Sequence, residues 1–211
     1  MLTFNANHKR VHNRHFPLMR GYTLLELLVV IGIVGFLAMM TIPSFQDTIR
    51  RNAREGAMLE LTTAIALART EAVTQALDVS ICRSTDSATC AAGGGGANWD
   101  AGWIIFSDAA TAGTVDVDDT LLQVQGSGNG VTTITLQTRL NADFAGDFLR
   151  FDEDGFLNNT TSGAYFKFCD LDNDLANARA LWLSNTGRPA MSTGGGDDVH
   201  NDLAGDDLEC P

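Results

Sequence analysis

Gly21-Tyr22-Thr23-Leu24-Leu25-Glu26 opens an apolar run that continues through Leu27-Leu28-Val29-Val30-Ile31-Gly32-Ile33-Val34-Gly35-Phe36-Leu37-Ala38-Met39-Met40-Thr41-Ile42. The run matches the roughly 20 residues that a helix needs to cross a bilayer core. One carboxylate, Glu26, stands near its start. A charged side chain at the centre of a membrane helix costs about 2.5–3.5 kcal/mol on insertion scales, less near the end. Glu26 therefore calls for a partner. Upstream lie Lys9, Arg10, Arg14 and Arg20 with no acid among them, and downstream Arg50, Arg51 and Arg54. That bias favours a cytoplasmic N-terminus, though by a single charge. A cleaved secretory signal has a shorter apolar core, about 7–15 residues, and a small-residue cleavage site. Here the run is longer, and the sequence beyond Pro43 continues as a helix.

The rest of the chain fits an exported domain. With 211 residues there is room for one modest domain and an anchor. All four cysteines, Cys82, Cys90, Cys169 and Cys210, lie after the apolar run. An even set in a small exported domain reads as two disulfides and an oxidising compartment. Three pairings exist. Cys82–Cys90, closing a short loop, and Cys169–Cys210, pinning the tail, are favoured. The formal net charge of −12 becomes −16 if residues 1–21 are removed, because four cations and no acids leave with them. Such a chain repels polyanions on average.

Helical periodicity persists past the apolar run. Pro43 should kink the helix or end a segment. Beyond it, Ala53, Ala57, Leu61, Ala64, Ile65, Ala68 and Ala72 recur at spacings of three and four, while Arg50, Arg51, Arg54, Glu55, Glu60, Arg69 and Glu71 fall on the other faces. A helix from Tyr22 to Leu77 would be about 84 Å long, and only its second half could pack on a globular domain. After Leu77 the period changes to two. Strands are predicted over 78–82, 103–106, 121–125, 131–136, 148–151, 164–168 and 180–184, separated by Gly-, Asn- and Asp-rich turns such as Gly93–Gly96 and Gly126–Gly130. Strands segregated after a helix predict an α+β fold, with the long helix laid across an antiparallel sheet.

The Gly–aromatic junction with glutamate as the fifth residue beyond it resembles the N-terminus of type IV pilins and type II secretion pseudopilins. Tyr22 stands where most members carry Phe. Three further elements, Val79-Ser80-Ile81-Cys82, Asn98-Trp99-Asp100-Ala101-Gly102-Trp103-Ile104-Ile105-Phe106 and Ser184-Asn185-Thr186-Gly187-Arg188-Pro189, look like the GspH/FimT branch of minor pilins and pseudopilins. The resemblance covers most of residues 21–190. It implies a pilin-like organisation: a basic leader 1–21, a helix 22–77 whose half 22–42 spans the membrane, a β domain 78–191, and a Gly/Asp-rich tail 192–211 pinned by Cys210. It also implies a structural subunit of a type IV pilus or type II secretion pseudopilus. Prepilin peptidase would cut between Gly21 and Tyr22, and the new N-terminus would be methylated. Glu26 would meet the freed α-amine at Tyr22 of a neighbouring subunit during assembly. The implied partners are other pilins, the peptidase and the bacterial inner membrane, with the C-terminal domain in the periplasm and later in the filament. No cofactor is implied. The leader is long for the family, and Met19 offers an alternative start.

The same residues also admit other readings. Some FimT-like proteins of DNA-uptake pili carry Gly-Arg-x-Arg where this chain has Gly187-Arg188-Pro189-Ala190, so Arg188 is a candidate DNA contact for a tip subunit. Ala190 removes the second cation, and non-specific affinity grows with the number of phosphate contacts. Trp99 and Trp103 could stack on bases, but core packing is the commoner role. Asp170-Leu171-Asp172-Asn173-Asp174 has three acidic spacings of a calcium loop, yet Leu175 and Leu181 occupy positions that need glycine and glutamate. Asp152-Glu153-Asp154-Gly155 is a second acidic turn. A membrane-anchored envelope enzyme finds little support. His200 is the one histidine outside the leader, and paired cysteines leave no zinc set.

Overall fold

The computed structural model describes residues 21–92, 98–128, 130, 132–138, 147–158, 163–170, 178–192, 208 and 210, with the side chains of 40–45 and 47 outside the description. Residues 1–20 of the leader, the Gly93–Gly96 loop, Arg139, Leu171–Asp174 and most of the tail, including His200, lie outside it. Two compact units divide the chain, residues 1–44 and 45–211.

One helix, α1 (Leu24–Gln75), contributes to both units. Thr23 caps it: the Glu26 backbone N–H donates to Thr23 Oγ1 at 3.1 Å, satisfying one of the amides that a helix start leaves free. Pro43 does not end the helix. From Leu24 to Met39 the large apolar side chains are exposed on every face, with Leu28, Ile31, Val34 and Leu37 each more than half accessible. Among the described residues no helix is long and apolar enough to cross a membrane; the side-chain description of the apolar run stops at Met39, short of Ile42.

Among the described residues the second unit combines the remainder of α1 with eight strands: β1 (Val79–Arg83), β2 (Trp103–Ser107), β3 (Leu121–Gln125), β4 (Thr132–Thr138), β5 (Phe148–Phe151), β6 (Ala164–Asp170), β7 (Arg179–Leu183) and β8 (Pro189–Met191). They form two four-stranded sheets, ordered β3-β2-β1-β5 and β4-β6-β7-β8. The sequence led us to expect a single sheet. The division arises because β5 pairs with β1 (Ser80 opposite Arg150) while β4, its predecessor, pairs with β6. Every strand pair is antiparallel. β8 begins with a proline, which cannot donate to a ladder and suits an edge.

Both sheets share one core with the helix. Met58, Leu61, Ala64, Ile65, Ala68 and Ala72 of α1 meet Ile81, Ile105 and Phe151 from the first sheet and Ile134, Phe166, Phe168 and Leu181 from the second. Alanines at half of these helix positions allow the backbone to approach the sheets closely. Trp99, in a 3-10 turn (Trp99–Ala101), meets Phe166 edge-to-face with centroids 4.9 Å apart, a favoured aromatic geometry. Asn98 ties this turn to the second sheet, its Oδ1 accepting from the Asp100 and Ile134 amides. Trp99 and Trp103 are thus core residues, 0% and 4% exposed.

Two disulfides close the unit, Cys82–Cys90 and Cys169–Cys210. Asp86 braces the short loop by accepting from Thr89 Oγ1 and from the Thr89 and Ala88 amides. These bonds, the Thr89 hydroxyl first, hold its carboxyl well below the usual range. The loop therefore keeps its anionic brace throughout mild acid.

Arg54 departs from expectation. The helical pattern placed it among outward charges, yet it is 2% exposed. Its Nη1 lies 3.9 Å from Asp170 Oδ2, and its Nε has no hydrogen-bond partner among the described residues. Burial, and then the charge of Arg179, lower its pKa, with Asp170 opposing them.

Candidate functional site: the helix start and the distal turns

Gly21 and Tyr22 precede the first helical turn, and Tyr22 is 86% exposed. A Cβ placed on Gly21 would meet nothing within 4 Å. The bond between these residues therefore sits in open chain, next to a helix whose first turn carries a single acid, Glu26. Thr23-x-x-Glu26 also has the spacing of a capping box, and an acid in the first turn favours the helix dipole. Glu26 thus has a local role as well as the assembly role that the sequence suggests.

Arg188 is exposed at the turn between β7 and β8. That turn is fixed by backbone bonds, Gly187 N–H to Ser184 O and Ser184 N–H to Arg188 O, and Asn185 O accepts from Leu157. Gly187 has φ +69°, and an added Cβ would lie 2.7 Å from Gly155 O and 3.1 Å from Arg69 Cδ. The glycine of the Gly-Arg element is therefore required by packing. Folding brings Arg69 to this turn, where its Nε donates to Gly155 O at 3.0 Å. It also brings the acidic turn Asp152–Asp154, whose Asp152 Oδ1 accepts from the Asp154 and Phe156 amides. Arg69 and the Asp152–Asp154 turn thus lie at the same end of the fold as the Gly187-Arg188 turn.

A partly buried network lies nearby. Arg150 bridges Asp78 (Nη2 to Oδ2, 2.8 Å) and Asp108 (Nε to Oδ2, 3.3 Å), and Nη2 also donates to Asp108 O. Asp108 Oδ2 further accepts from Ser80 Oγ and Gly113 N. Sequence reading missed this set because its members are far apart in the chain. Among the described residues no group of three or more His, Cys, Asp or Glu is placed to hold a metal ion, and of the five-residue acidic stretch considered for calcium only Asp170 is described.

The architecture is that of an α+β subunit with a long N-terminal helix, antiparallel sheets and two disulfides. Residues 57–187, more than half of the chain, match the family described as type II transport protein GspH. The chain belongs to the GspH family. It is similar to crystal structures of the type IV minor pilin FimU of Pseudomonas aeruginosa strain PAO1, at 24% identity, 68% of this chain and 90% of that one, TM-score 0.49. A second crystal form of FimU aligns at 23% identity, 67% and 91% coverage, TM-score 0.45. The minor pseudopilin EpsH from the type 2 secretion system of Vibrio cholerae aligns at 9% identity, 65% and 94% coverage, TM-score 0.41. No curated protein sequence matches the chain.

Proposed function

We propose that this chain is a minor pilin or pseudopilin, a structural subunit of a type IV pilus or type II secretion pseudopilus. Prepilin peptidase cuts it after Gly21. It waits in the inner membrane with residues 45–211 in the periplasm, and it then enters a filament or its priming tip. GspH family membership supports the class. The observation that carries the mechanism is the exposure of apolar side chains on all faces of α1 from Leu24 to Met39. A helix that is apolar all round is stable only when buried. Covering each half-exposed aliphatic side chain is worth on the order of 1 kcal/mol, so either lipid or the helices of neighbouring subunits must enclose this stretch. Glu26 then supplies register, its carboxylate pairing with the methylated α-amine at Tyr22 of a neighbour. A pair is far cheaper in an apolar medium than either lone charge.

The test is intact-mass analysis of the membrane-associated protein, wild type and Gly21→Leu. A wild-type N-terminus at Tyr22, methylated, and full-length Gly21→Leu precursor are the expected results. Normal processing of the variant would remove the peptidase reading.

A further inference from the structure

Three arginines gather where α1 meets the ends of β6 and β7. Arg54 is buried, 3.9 Å from Asp170 at the end of β6. Arg179 opens β7. Arg51 lies one helical turn before Arg54 and is exposed. Burial lowers the pKa of Arg54, and the charges of Arg179 and Arg51 lower it further against the opposing Asp170. Burial and then Arg51 lower that of Arg179. Among the described residues, the carboxylates that oppose these effects are Asp170 and Glu55, two anions against three cations. Like charges held this close cost stability unless further anions join them.

The chain carries such anions in residues 193–207, which lie outside the described residues but are anchored at both ends beside Arg179. At one end, Ser192 N–H donates to Ala180 O, and Ser192 Oγ accepts from the Ala180 amide. At the other, Leu208 is buried against Ala178 and Ala180, and Cys210 is bonded to Cys169, the neighbour of Asp170. The fifteen residues between carry Asp197, Asp198, Asp202, Asp206 and Asp207 and no Lys or Arg. We propose that this stretch seats on the arginine cluster as its intramolecular counter-charge, with its carboxylates on Arg51 and the outer nitrogens of Arg179. Arg54 is too deeply buried to be touched and acts through its field alone. Side chains alternate along a strand, so Arg179 faces the helix side while Ala178 and Ala180 meet Leu208. The stretch must therefore round the short edge strand β8. A fifteen-residue stretch with both ends fixed reaches about 25 Å and returns, enough for that path. Anchoring at both ends makes the encounter intramolecular, which raises the effective concentration of the acids at the cluster. The contact ties α1 at Arg51 to β7 and keeps these cations from outside anions. It does not depend on the assembly reading.

The test uses the full chain in neutral detergent. Arg51→Lys/Arg179→Lys is treated with a carbodiimide, which joins an amine to a carboxylate only in direct contact, then digested and read by mass spectrometry. Amide links from position 51 or 179 to the acids of 197–207 are expected. No link, or links to Glu55 and Asp170 alone, overturns the inference. A double-mutant cycle on urea midpoints supplies the second measurement. Asp197→Asn/Asp198→Asn/Asp202→Asn/Asp206→Asn/Asp207→Asn is expected to lower the midpoint by about 0.5 M with both arginines present, and by less than about 0.1 M in Arg51→Gln/Arg179→Gln. Equal losses in the two backgrounds, or no loss in either, overturn it as well.

Discussion

Thr23→Ala and Glu26→Ala separate the local role of Glu26 at the helix start from its proposed role in assembly. Thr23 Oγ1 accepts the Glu26 amide at 3.1 Å. Losing that cap costs about 1 kcal/mol of helix stability. Losing the Glu26 charge at the first turn costs about 0.3–1 kcal/mol through the helix dipole. If Glu26 served only its own helix, the two variants would behave alike. On the assembly reading, Glu26→Ala also strands the neighbour's α-amine in an apolar environment. Removing one half of a buried pair costs about 3–5 kcal/mol. The excess over Thr23→Ala is then at least about 2 kcal/mol, a factor of roughly 30 in the equilibrium for joining the filament.

The assay is quantitative immunoblotting of sheared filaments, normalised to processed protein in the membrane. Thr23→Ala is expected within a few-fold of wild type, and Glu26→Ala lower by more than tenfold, with processing intact in both. Glu26→Gln keeps the shape and removes the charge, so it should follow Glu26→Ala. Equal incorporation of Thr23→Ala and Glu26→Ala, or wild-type incorporation of Glu26→Gln, would refute the pairing argument.

Three further outcomes are expected. The disulfides span sequence separations of 41 and 8, for which loop-closure entropy gives about 4 and about 2.5 kcal/mol. Denaturant unfolding should show Cys169→Ala/Cys210→Ala as the more destabilised pair, and the reverse order would contradict the entropic account. Gly187→Ala must hold φ +69° and place its Cβ 2.7 Å from Gly155 O, so a loss of about 1–3 kcal/mol is expected, whereas Gly56→Ala, with nothing within 4 Å, should be neutral or gain up to about 1 kcal/mol. In a mobility-shift titration at physiological salt the chain should bind duplex DNA no more tightly than about 10 μM; micromolar or tighter binding abolished by Arg188→Ala would reverse that ranking.

Much of this was legible in the chain, and the misses have identifiable causes. The change of period at Leu77 marked the end of helix and the start of strands, and seven strands were found near their observed positions. β8 was missed because Pro189 argues against a ladder, and only an edge position accommodates it. The split into two sheets depends on β5 crossing to β1, a long-range pairing that local alternation does not encode. Arg54 was placed with Arg50, Arg51 and Glu55 on sign of charge alone. Its spacing pointed inward: 54, 58, 61, 65, 68 and 72 form one stripe, and the other five are core residues. Asp78 and Asp108 escaped notice, since they meet Arg150 only when β1, β2 and β5 pair.

The two units also differ in what they leave unfinished. Among the described residues of 45–211 a core is enclosed, with Ile65, Ile105, Phe151 and Phe166 fully buried. Residues 24–39 enclose nothing, with Leu24 at 80% and Met39 at 79% exposure. Soluble monomers rarely expose apolar patches beyond a few hundred Å², and this stretch is apolar around its whole circumference. On the proposed reading this apolar stretch is covered by lipid or by like helices. Under the proposed function the unit 45–211 would stay intact while the helix exchanges lipid for neighbours.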